Sequence, residues 1–388
     1  MGYYVPHQCL PNLKKYKYSS EDRSLISKNI LKPFWGQFVK IFPLWMAPNV
    51  ITLLGFGFIV VNFLTCLYFD PTLTKEHPRW AYFSYAFGLF MYQTFDACDG
   101  GHARRTGQSG PLGELFDHCI DSLNTTVSML IFCAVSQLGF TFPAIFAQFA
   151  LLCNFYLSTW EEFHTHTLFL SEFSGPVEGI LLIITSFILT GILGPQFVWH
   201  YPIAKIAGLQ IESFHVLFGL FGLALLFNIY YAQKNVADYY QKNKLEAHMN
   251  DPELAIASAR AGLIPFFAFF AVVFVLCLIE PQFISLPFVL SNGLAIAFTV
   301  GRIIVAHLTM QDYPWKNSPL FLPLAQLIAY QFFTSVVGYN ASTVCTNLCW
   351  MGFGLALGVH ATFLNDIIFD FTSYLDIYAL SIKHPKIH

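Results

Sequence analysis

The sequence predicts an all-α, polytopic membrane protein with about ten transmembrane helices. Of its 388 residues, 55% are hydrophobic and only 11% are charged, whereas a soluble domain carries about 25% charged residues. The mean hydropathy is +0.54. Aromatic residues make up 18% of the chain, as in lipid-facing helices with Tyr and Trp near the interfaces. Because charged side chains are costly in hydrocarbon, this composition excludes a soluble globular protein and indicates repeated membrane spans.

Ten apolar runs have the length of about 17 to 25 residues that a helix needs to cross a bilayer. The first 40 residues are polar and basic and show no cleavable signal peptide, so targeting is expected to depend on the first span. The predicted spans are 49–69, 81–98, 115–138, 141–160, 176–194, 213–233, 263–280, 284–308, 319–338 and 343–364.

The basic residues predict the orientation, because cytosolic loops of membrane proteins carry an excess of Lys and Arg. The segment before the first span is rich in Lys, so we expect it in the cytosol. Ten spans then return the C-terminus to the same side. Of the 20 Lys and Arg residues, only Lys75, Arg79 and Lys205 fall on the opposite side.

Two pairs of carboxylates stand at the cytosolic ends of the second and third predicted spans: Asp96 with Asp99, and Asp117 with Asp121. The members of the first pair are three residues apart and those of the second pair are four apart, so each pair shares one face of a helix. The glycine-containing stretches 100–101 and 107–111 are expected to break the chain between the two helices. The sequence therefore predicts four carboxylates that converge at one membrane edge.

Four converging carboxylates would repel one another unless cations lay among them, and hard oxygen ligands select Mg²⁺, Mn²⁺ or Ca²⁺. Arg104 supplies a planar charge suited to a phosphate, while Gly100 and Gly113 allow a ligand to approach the backbone closely. The alternative is a set of solvated surface carboxylates. Four of them at these spacings, with Gly-x-x-Ala-Arg between them, favour a metal site for phosphoryl transfer.

The pattern D-x2-D-G-x2-A-R-x8-G-x3-D-x3-D resembles the signature of the CDP-alcohol phosphotransferase family, and every fixed position is matched. The upstream segment Pro48-Asn49-Val-Ile-Thr52 is similar to the motif that opens the first helix of that family. Four further segments resemble the fungal choline/ethanolamine phosphotransferase branch: Leu115-Phe-Asp-His, Thr159-Trp160-Glu161, Gly175-Pro-Val-Glu178-Gly, and Asp376-Ile-Tyr-Ala-Leu-Ser-Ile-Lys-His.

This resemblance implies that the four aspartates bind two Mg²⁺ ions, with Mn²⁺ as a substitute, and that the ions hold the diphosphate of CDP-choline or CDP-ethanolamine. Diacylglycerol then attacks the β-phosphorus and CMP leaves. Arg104 would contact the phosphates. The resemblance also implies a homodimer in the endoplasmic reticulum or Golgi membrane, with no nucleic-acid partner. The cytidine pocket would be lined by Asn49, Gly100, Ala103 and Gly113.

The attacking hydroxyl must lose its proton, and two residues are candidates for the base. Asp121 corresponds to the usual choice in the family, but a carboxylate bound to two cations is a weak base. His118 has an ordinary pKa near 6.5, which suits proton acceptance at cytosolic pH, and we therefore favour it. Its alternative role is to orient Asp121. Glu178 could neutralise the amino-alcohol head group, or it could be an ordinary interfacial carboxylate.

The predicted organisation is a cytosolic interfacial segment at 1–48, a catalytic core of six spans at 49–233, a cytosolic connection at 234–262 and a C-terminal tail at 365–388. The four spans at 263–364 are expected to serve dimerisation or lipid access. A transferase that makes another lipid is the first alternative function. The predicted length of ten spans disfavours it, because six spans suffice for that core reaction. A transporter is the second, but the clustered acids and the lack of an internal repeat disfavour it.

Overall fold

The computed structural model of the chain describes residues 2–16, 19–22, 24, 26–170, 176–206, 208–243 and 251–385. Gly175 of the quoted motifs lies outside them. The described chain is mostly helical. Its α-helices are α1 (Lys32–Phe38), α2 (Pro48–Phe69), α3 (Arg79–Thr106), α4 (Pro111–Val135), α5 (Phe142–Thr165), α6 (Pro176–Leu193), α7 (Pro195–Trp199), α8 (Ser213–Lys242), α9 (Pro252–Ala261), α10 (Ile264–Ile279), α11 (Leu286–Thr309), α12 (Leu322–Gln331) and α13 (Ala341–Leu375).

Short elements connect these helices. The 3₁₀ turns are His7–Lys15, Val39–Ile41, Pro281–Phe283 and Ser318–Phe321, and the π turns are Ser27–Leu31 and Phe332–Val336. The strands are β1 (Ser20–Asp22), β2 (Leu168–Leu170), β3 (Pro202–Ile206) and β4 (Leu209–Glu212), of which the last two form an antiparallel hairpin.

The prediction of an all-α polytopic membrane protein is confirmed. Nine of the ten predicted spans lie mainly on one α-helix, and the span 319–338 lies on a continuous run of 3₁₀ turn, α12 and π turn. Eight helical stretches of the described chain are long and apolar enough to cross a membrane. The other two spans lie on the shorter apolar helix α6 and on α3, which is polar over its last turns.

The glycine pair at 100–101 does not break the chain, contrary to the prediction, because α3 continues through it to Thr106. A glycine inside a helix costs about 1 kcal/mol relative to alanine. Contacts beyond the pair offset that cost: the His102 Nε2 atom lies 3.0 Å from the Met46 carbonyl oxygen, and the Thr106 hydroxyl donates to the His102 carbonyl at 2.9 Å. The helix ends at Gly107, whose φ of 71° is the left-handed conformation that glycine adopts at helix C-termini.

Two other boundaries extend beyond the predicted spans. Helix α13 runs through residue 364 to Leu375, because its apolar face stays buried at Ile367 and Phe371. Helix α8 continues to Lys242, and a separate helix, α9, covers 252–261. The residues between them, 244–250, lie outside the described chain.

One compact unit comprises the described parts of 20–140, 170–226 and 375–388. Helices α2 and α3 pack closely in it because small residues face side chains of the other helix. A Cβ atom at Gly55 would lie 2.8 Å from the Phe95 Cβ atom. The Asn62 amide donates to the Ser84 carbonyl at 3.0 Å, and the Ser84 hydroxyl donates back to Asn62 at 3.0 Å. This packing fixes the register of α2 against α3, the helix that carries Asp96 and Asp99.

The other compact unit comprises the described parts of 1–19, 141–169 and 227–374. Here α5 contacts the elements that follow α8. The Trp160 indole donates to the Ala259 carbonyl at 2.8 Å, the Tyr156 hydroxyl donates to the Gly262 carbonyl at 2.8 Å, and the Gln148 amide donates to the Val289 carbonyl at 2.7 Å. These units are defined by packing. The division predicted from the sequence is by function, with a catalytic core at 49–233, and it stays a prediction.

Candidate active site

The candidate site lies where the last turns of α3 meet the first turns of α4. Helix α4 begins with Gly110 as its N-cap and Pro111 at its first position, where a missing N–H costs nothing. Asp96 and Asp99 lie on α3, and Asp117 and Asp121 lie on α4.

Three of the predicted metal ligands form a tight cluster. One carboxylate oxygen from each of Asp96, Asp99 and Asp117 lies within 4.8 Å of the others. The Oδ1 atoms of Asp96 and Asp117 are buried and accept no hydrogen bond from the described part of the chain. Buried carboxylates at this separation are strongly unfavourable unless a cation or protons compensate them. The residues present therefore fit a hard divalent cation.

Asp99 and Asp121 are each held by a hydroxyl group of a neighbouring residue. The Thr52 hydroxyl donates to Asp99 Oδ2 at 2.5 Å, and the Gly100 N–H donates to Asp99 Oδ1 at 2.5 Å. The Tyr92 hydroxyl donates to Asp121 Oδ1. Asp121 is not part of the three-carboxylate cluster, but it is close enough to Asp96 and Asp99 to interact with both electrostatically.

Sequence reasoning assigned no role to Thr52 or Tyr92. Thr52 belongs to the quoted Pro48–Thr52 motif and lies one helical turn after Asn49. Its place in that motif could have indicated that it belongs to the site. Tyr92 is one of 19 tyrosines in an aromatic-rich chain, and its role depends on how α3 and α4 pack.

His118 is buried on α4, with 8% of its surface exposed. Its Nδ1 atom lies 3.0 Å from the Glu114 carbonyl oxygen. Since a carbonyl can only accept, Nδ1 carries the proton and Nε2 of the neutral ring carries the lone pair. When the ring is protonated, its positive charge interacts favourably with the carboxylates of Asp96 and Asp121.

The residues expected to bind the nucleotide flank the carboxylates. Asn49 is buried at the start of α2, and its amide donates to the Ala379 carbonyl at 2.9 Å. The Arg104 guanidinium runs beside Gly100, where an added Cβ atom would lie 3.7 Å from Nη1. Ala103 is buried, and an added Cβ atom at Gly113 would meet nothing within 4 Å. Space beside the backbone at Gly100 and Gly113 is what a bound ligand requires.

Glu178 lies in the first turn of α6, which packs along α3. The Ser24 hydroxyl donates to its Oε1 atom, while its Oε2 atom is buried and accepts no hydrogen bond from the described residues. The neighbouring Val177 carbonyl accepts a hydrogen bond of 3.4 Å from Gln93, three residues before Asp96. The structure therefore places Glu178 beside the part of α3 that carries the carboxylates.

Comparison with known proteins identifies the family. The model of the CDP-alcohol phosphatidyltransferase family matches residues 45–210. Cholinephosphotransferase 1 of Saccharomyces cerevisiae is 55% identical to the chain over 391 residues, covering 100% of both proteins. The chain belongs to the CDP-alcohol phosphatidyltransferase family. Choline/ethanolaminephosphotransferase 1 of S. cerevisiae is 54% identical over 391 residues, and choline/ethanolaminephosphotransferase 1 of Arabidopsis thaliana is 34% identical over 409, each covering 100% of both proteins.

Family membership agrees with the chemistry of the site. Members of this family are metal-dependent enzymes, and the buried carboxylates of α3 and α4 fit that requirement. The matched region 45–210 contains all the candidate metal, nucleotide and head-group residues and His118, whereas two of their hydrogen-bond partners, Ser24 and Ala379, lie outside it. The similarity to the two S. cerevisiae relatives extends beyond this region and covers the segment that forms α9–α13.

Proposed function

We propose that this membrane enzyme transfers phosphocholine and phosphoethanolamine from CDP-choline and CDP-ethanolamine to diacylglycerol, forming the phospholipid and CMP. The observation that carries the proposal is the cluster of Asp96, Asp99 and Asp117, with oxygens within 4.8 Å of one another. Full-length relatives named for both amino-alcohols support the choice of donors. The same names disfavour a transferase that makes another lipid.

The aspartates of α3 and α4 are the ligands for two Mg²⁺ ions, with Mn²⁺ as a substitute. Asp96, Asp99 and Asp117 supply the clustered oxygens, and Asp121 completes the set. Ions held by these aspartates would neutralise the diphosphate and the charge that develops during phosphoryl transfer. The Thr52 hydroxyl and the Gly100 N–H hold the Asp99 carboxylate in one orientation.

The nucleotide lies along the N-terminus of α2 and the open backbone of α3 and α4. Asn49, Gly100, Ala103 and Gly113 line the cytidine side, where an added Cβ atom at either glycine would meet no backbone. Arg104, exposed at the end of α3, contacts the phosphates with its planar guanidinium. These groups bind and orient the diphosphate for displacement at the β-phosphorus.

His118 takes the proton from the attacking hydroxyl of diacylglycerol. The Glu114 carbonyl fixes the ring so that Nε2 is the accepting nitrogen. As the lipid oxygen bonds to the β-phosphorus, the bond from that phosphorus to the bridging oxygen breaks. CMP leaves with the electron pair, and the proton resides on Nε2. Asp121 is a poorer base because the Tyr92 hydroxyl and the expected metal contacts occupy its lone pairs.

The remaining assignments concern the lipid, the head group and the cell. Diacylglycerol enters from the bilayer, Glu178 faces the amino-alcohol, and the enzyme is a homodimer of the endoplasmic reticulum or Golgi membrane with a cytosolic site. The buried Oε2 atom of Glu178, which no described residue donates to, supports a cationic partner there.

Donor use tests the proposal. The two donors differ by three methyl groups on the ammonium, and one methylene-sized difference is worth about 1–3 kcal/mol in a pocket. Purified protein in lipid nanodiscs should therefore convert both, releasing CMP and phospholipid in equal amounts only when diacylglycerol and Mg²⁺ are present. CMP release that does not depend on diacylglycerol would contradict the proposal. Discrimination of about a thousand-fold between donors would limit it to one of them.

A further inference from the structure

The chain turns back after α13 in a closed loop, residues 376–384, which we call the C-terminal loop. Asp376 starts it with a left-handed φ of 55° and closes it by accepting from Lys383 Nζ and from His384 Nε2, the latter 3.0 Å from Oδ2. Lys383 Nζ also lies 5.2 Å from the centre of the Tyr378 ring. Hydrogen bonds from Lys383 and then His384 hold the pKa of Asp376 below its ordinary value. One carboxylate thus defines the shape of the loop.

The C-terminal loop contacts both sides of the candidate site within one compact unit. The Ala379 carbonyl accepts from Asn49 Nδ2 at 2.9 Å, and the His384 carbonyl accepts from Gln108 Nε2 at 3.0 Å. Asn49 lies in the first turn of α2, and Gln108 follows the end of α3. The loop therefore bridges the two elements that flank the carboxylates.

The contact at Ala379 determines what Asn49 can offer a ligand. A backbone carbonyl only accepts, so it fixes the amide with Nδ2 toward the loop. Oδ1 of Asn49 accepts no hydrogen bond from any residue that the structure describes. Asn49 lies one helical turn before Thr52, whose hydroxyl donates to Asp99, so Asn49 is on the same part of α2 as a residue that contacts the carboxylate cluster.

We propose that the C-terminal loop is a positioning element of the nucleotide site: it holds Asn49 so that Oδ1 accepts an amino or hydroxyl group of cytidine. This inference rests on the proposed function. The hydrogen bonds of the loop to this region go to Asn49 and Gln108, so the loop sets the affinity for the nucleotide donor and leaves the chemical step unchanged.

The decisive variant is Asp376→Asn, which removes the charge that closes the loop and alters no residue of the site. Steady-state KM for CDP-choline and the Kd of CDP from calorimetry should both rise about tenfold, on the scale of one lost hydrogen bond, while kcat stays within about twofold. Asp366→Asn is the matched control. It lies on α13 in the other compact unit, where its carboxylate accepts the Tyr3 N–H at 2.9 Å, and it should change neither constant.

Lys383→Gln is the second variant. It removes one of the two hydrogen bonds to the Asp376 carboxylate and should raise both constants about threefold. Unchanged KM and Kd in both variants, or a fall in kcat at constant KM, would overturn the inference. A wild-type protein that binds CDP but releases no CMP would instead refute the proposed function, and the Kd comparison would still decide the role of the loop.

Discussion

At the residue scale, Thr52 is the residue of α2 that orients Asp99, a predicted metal ligand. Its hydroxyl donates to Asp99 at 2.5 Å. Thr52→Val keeps the shape of the side chain and removes the donor, so we expect activity to fall at least about tenfold and the Mg²⁺ requirement to rise, as for other residues that orient metal ligands. Activity measured across a Mg²⁺ titration checks this.

Thr65→Val is the matched control for that variant. Thr65 lies on the same helix, and its hydroxyl donates to the Val61 carbonyl at 2.8 Å. It should leave the Mg²⁺ dependence unchanged. Equal effects of the two substitutions would show that Thr52 contributes only to the packing of α2.

His118 can be tested by separating its base role from its hydrogen bond to Glu114. His118→Ala removes both, and His118→Asn keeps an N–H that can donate to the Glu114 carbonyl. We expect both variants to bind CDP-choline and Mg²⁺ as the wild type does and to lose about 10² or more in turnover, the usual scale for a general base.

Calorimetry beside the turnover assay decides between the roles of His118. Normal turnover in His118→Asn would return the base role to Asp121 and make His118 an orienting residue. Loss of nucleotide binding in both variants would make it part of the framework of the site.

The sequence was informative about the site wherever spacing along one helix carried the information. The carboxylate pairs could be predicted because positions three or four apart share a helix face. The contacts of Asp99 with Thr52, and of Asn49 with Ala379, join residues 47 and 330 positions apart. Such contacts depend on how helices pack, and the Ala379 contact uses a backbone carbonyl that no side-chain pattern encodes.

At the element scale, apolar length predicted where the helices are but not where they end. Helix α3 passes through two glycines because contacts of His102 and Thr106 follow them. Helix α13 passes residue 364 because Phe363, which packs against Phe298 and Tyr4, is followed by further buried positions. Local propensity is outweighed by tertiary contacts in both helices.

The turn between α2 and α3 depends on one carboxylate. Asp70 is fully buried and accepts from the N–H groups of Thr72, Thr74 and Lys75 at 2.9, 2.6 and 2.8 Å. Burial alone would raise the pKa of Asp70, but these hydrogen bonds and that of the Thr72 hydroxyl lower it. Asp70→Ala should destabilise the protein by about 3 kcal/mol.

Thermal unfolding in detergent measures that loss. Glu76→Ala is the control, since Glu76 forms an exposed 3.8 Å ion pair with Arg79, and exposed pairs contribute little to stability. A lowered pKa means that the contribution of Asp70 is present above its ordinary pKa of about 4 and is lost as the pH falls through the lower folded value. The stability difference should therefore hold at pH 7. A variant as stable as the wild type at pH 7 would contradict this account of the turn.

At the scale of the whole molecule, the basic residues predict a cytosolic site. Sealed microsomes should use added CDP-choline without permeabilisation, because the Asp96–Asp121 segment and both termini would face the medium. A lumenal marker enzyme that stays latent in the same vesicles is the control. Activity that appears only after detergent is added would invert the topology.

The order of the chain does not reveal its compact units. The stretch 141–169 belongs with the helices after 227, although the aspartates that precede it belong with 170–226. The number of spans can be predicted from the hydrophobic runs along the sequence, since each span must be long and apolar enough to cross the bilayer. They carry little information on which spans associate, because all of them are apolar.

The central claim is that Asp96, Asp99, Asp117 and Asp121 act as one metal unit that carries phosphoryl transfer. The most direct test is the turnover of the four single Asp→Asn variants beside the wild type, in Mg²⁺, in EDTA and after Mn²⁺ is restored. We predict that each variant inserts and purifies normally and keeps less than about a tenth of the wild-type rate. Wild-type activity should vanish in EDTA and return with either metal, and Asp366→Asn should behave as the wild type. A variant such as Asp99→Asn that keeps more than about a tenth of the wild-type rate would contradict the shared metal unit.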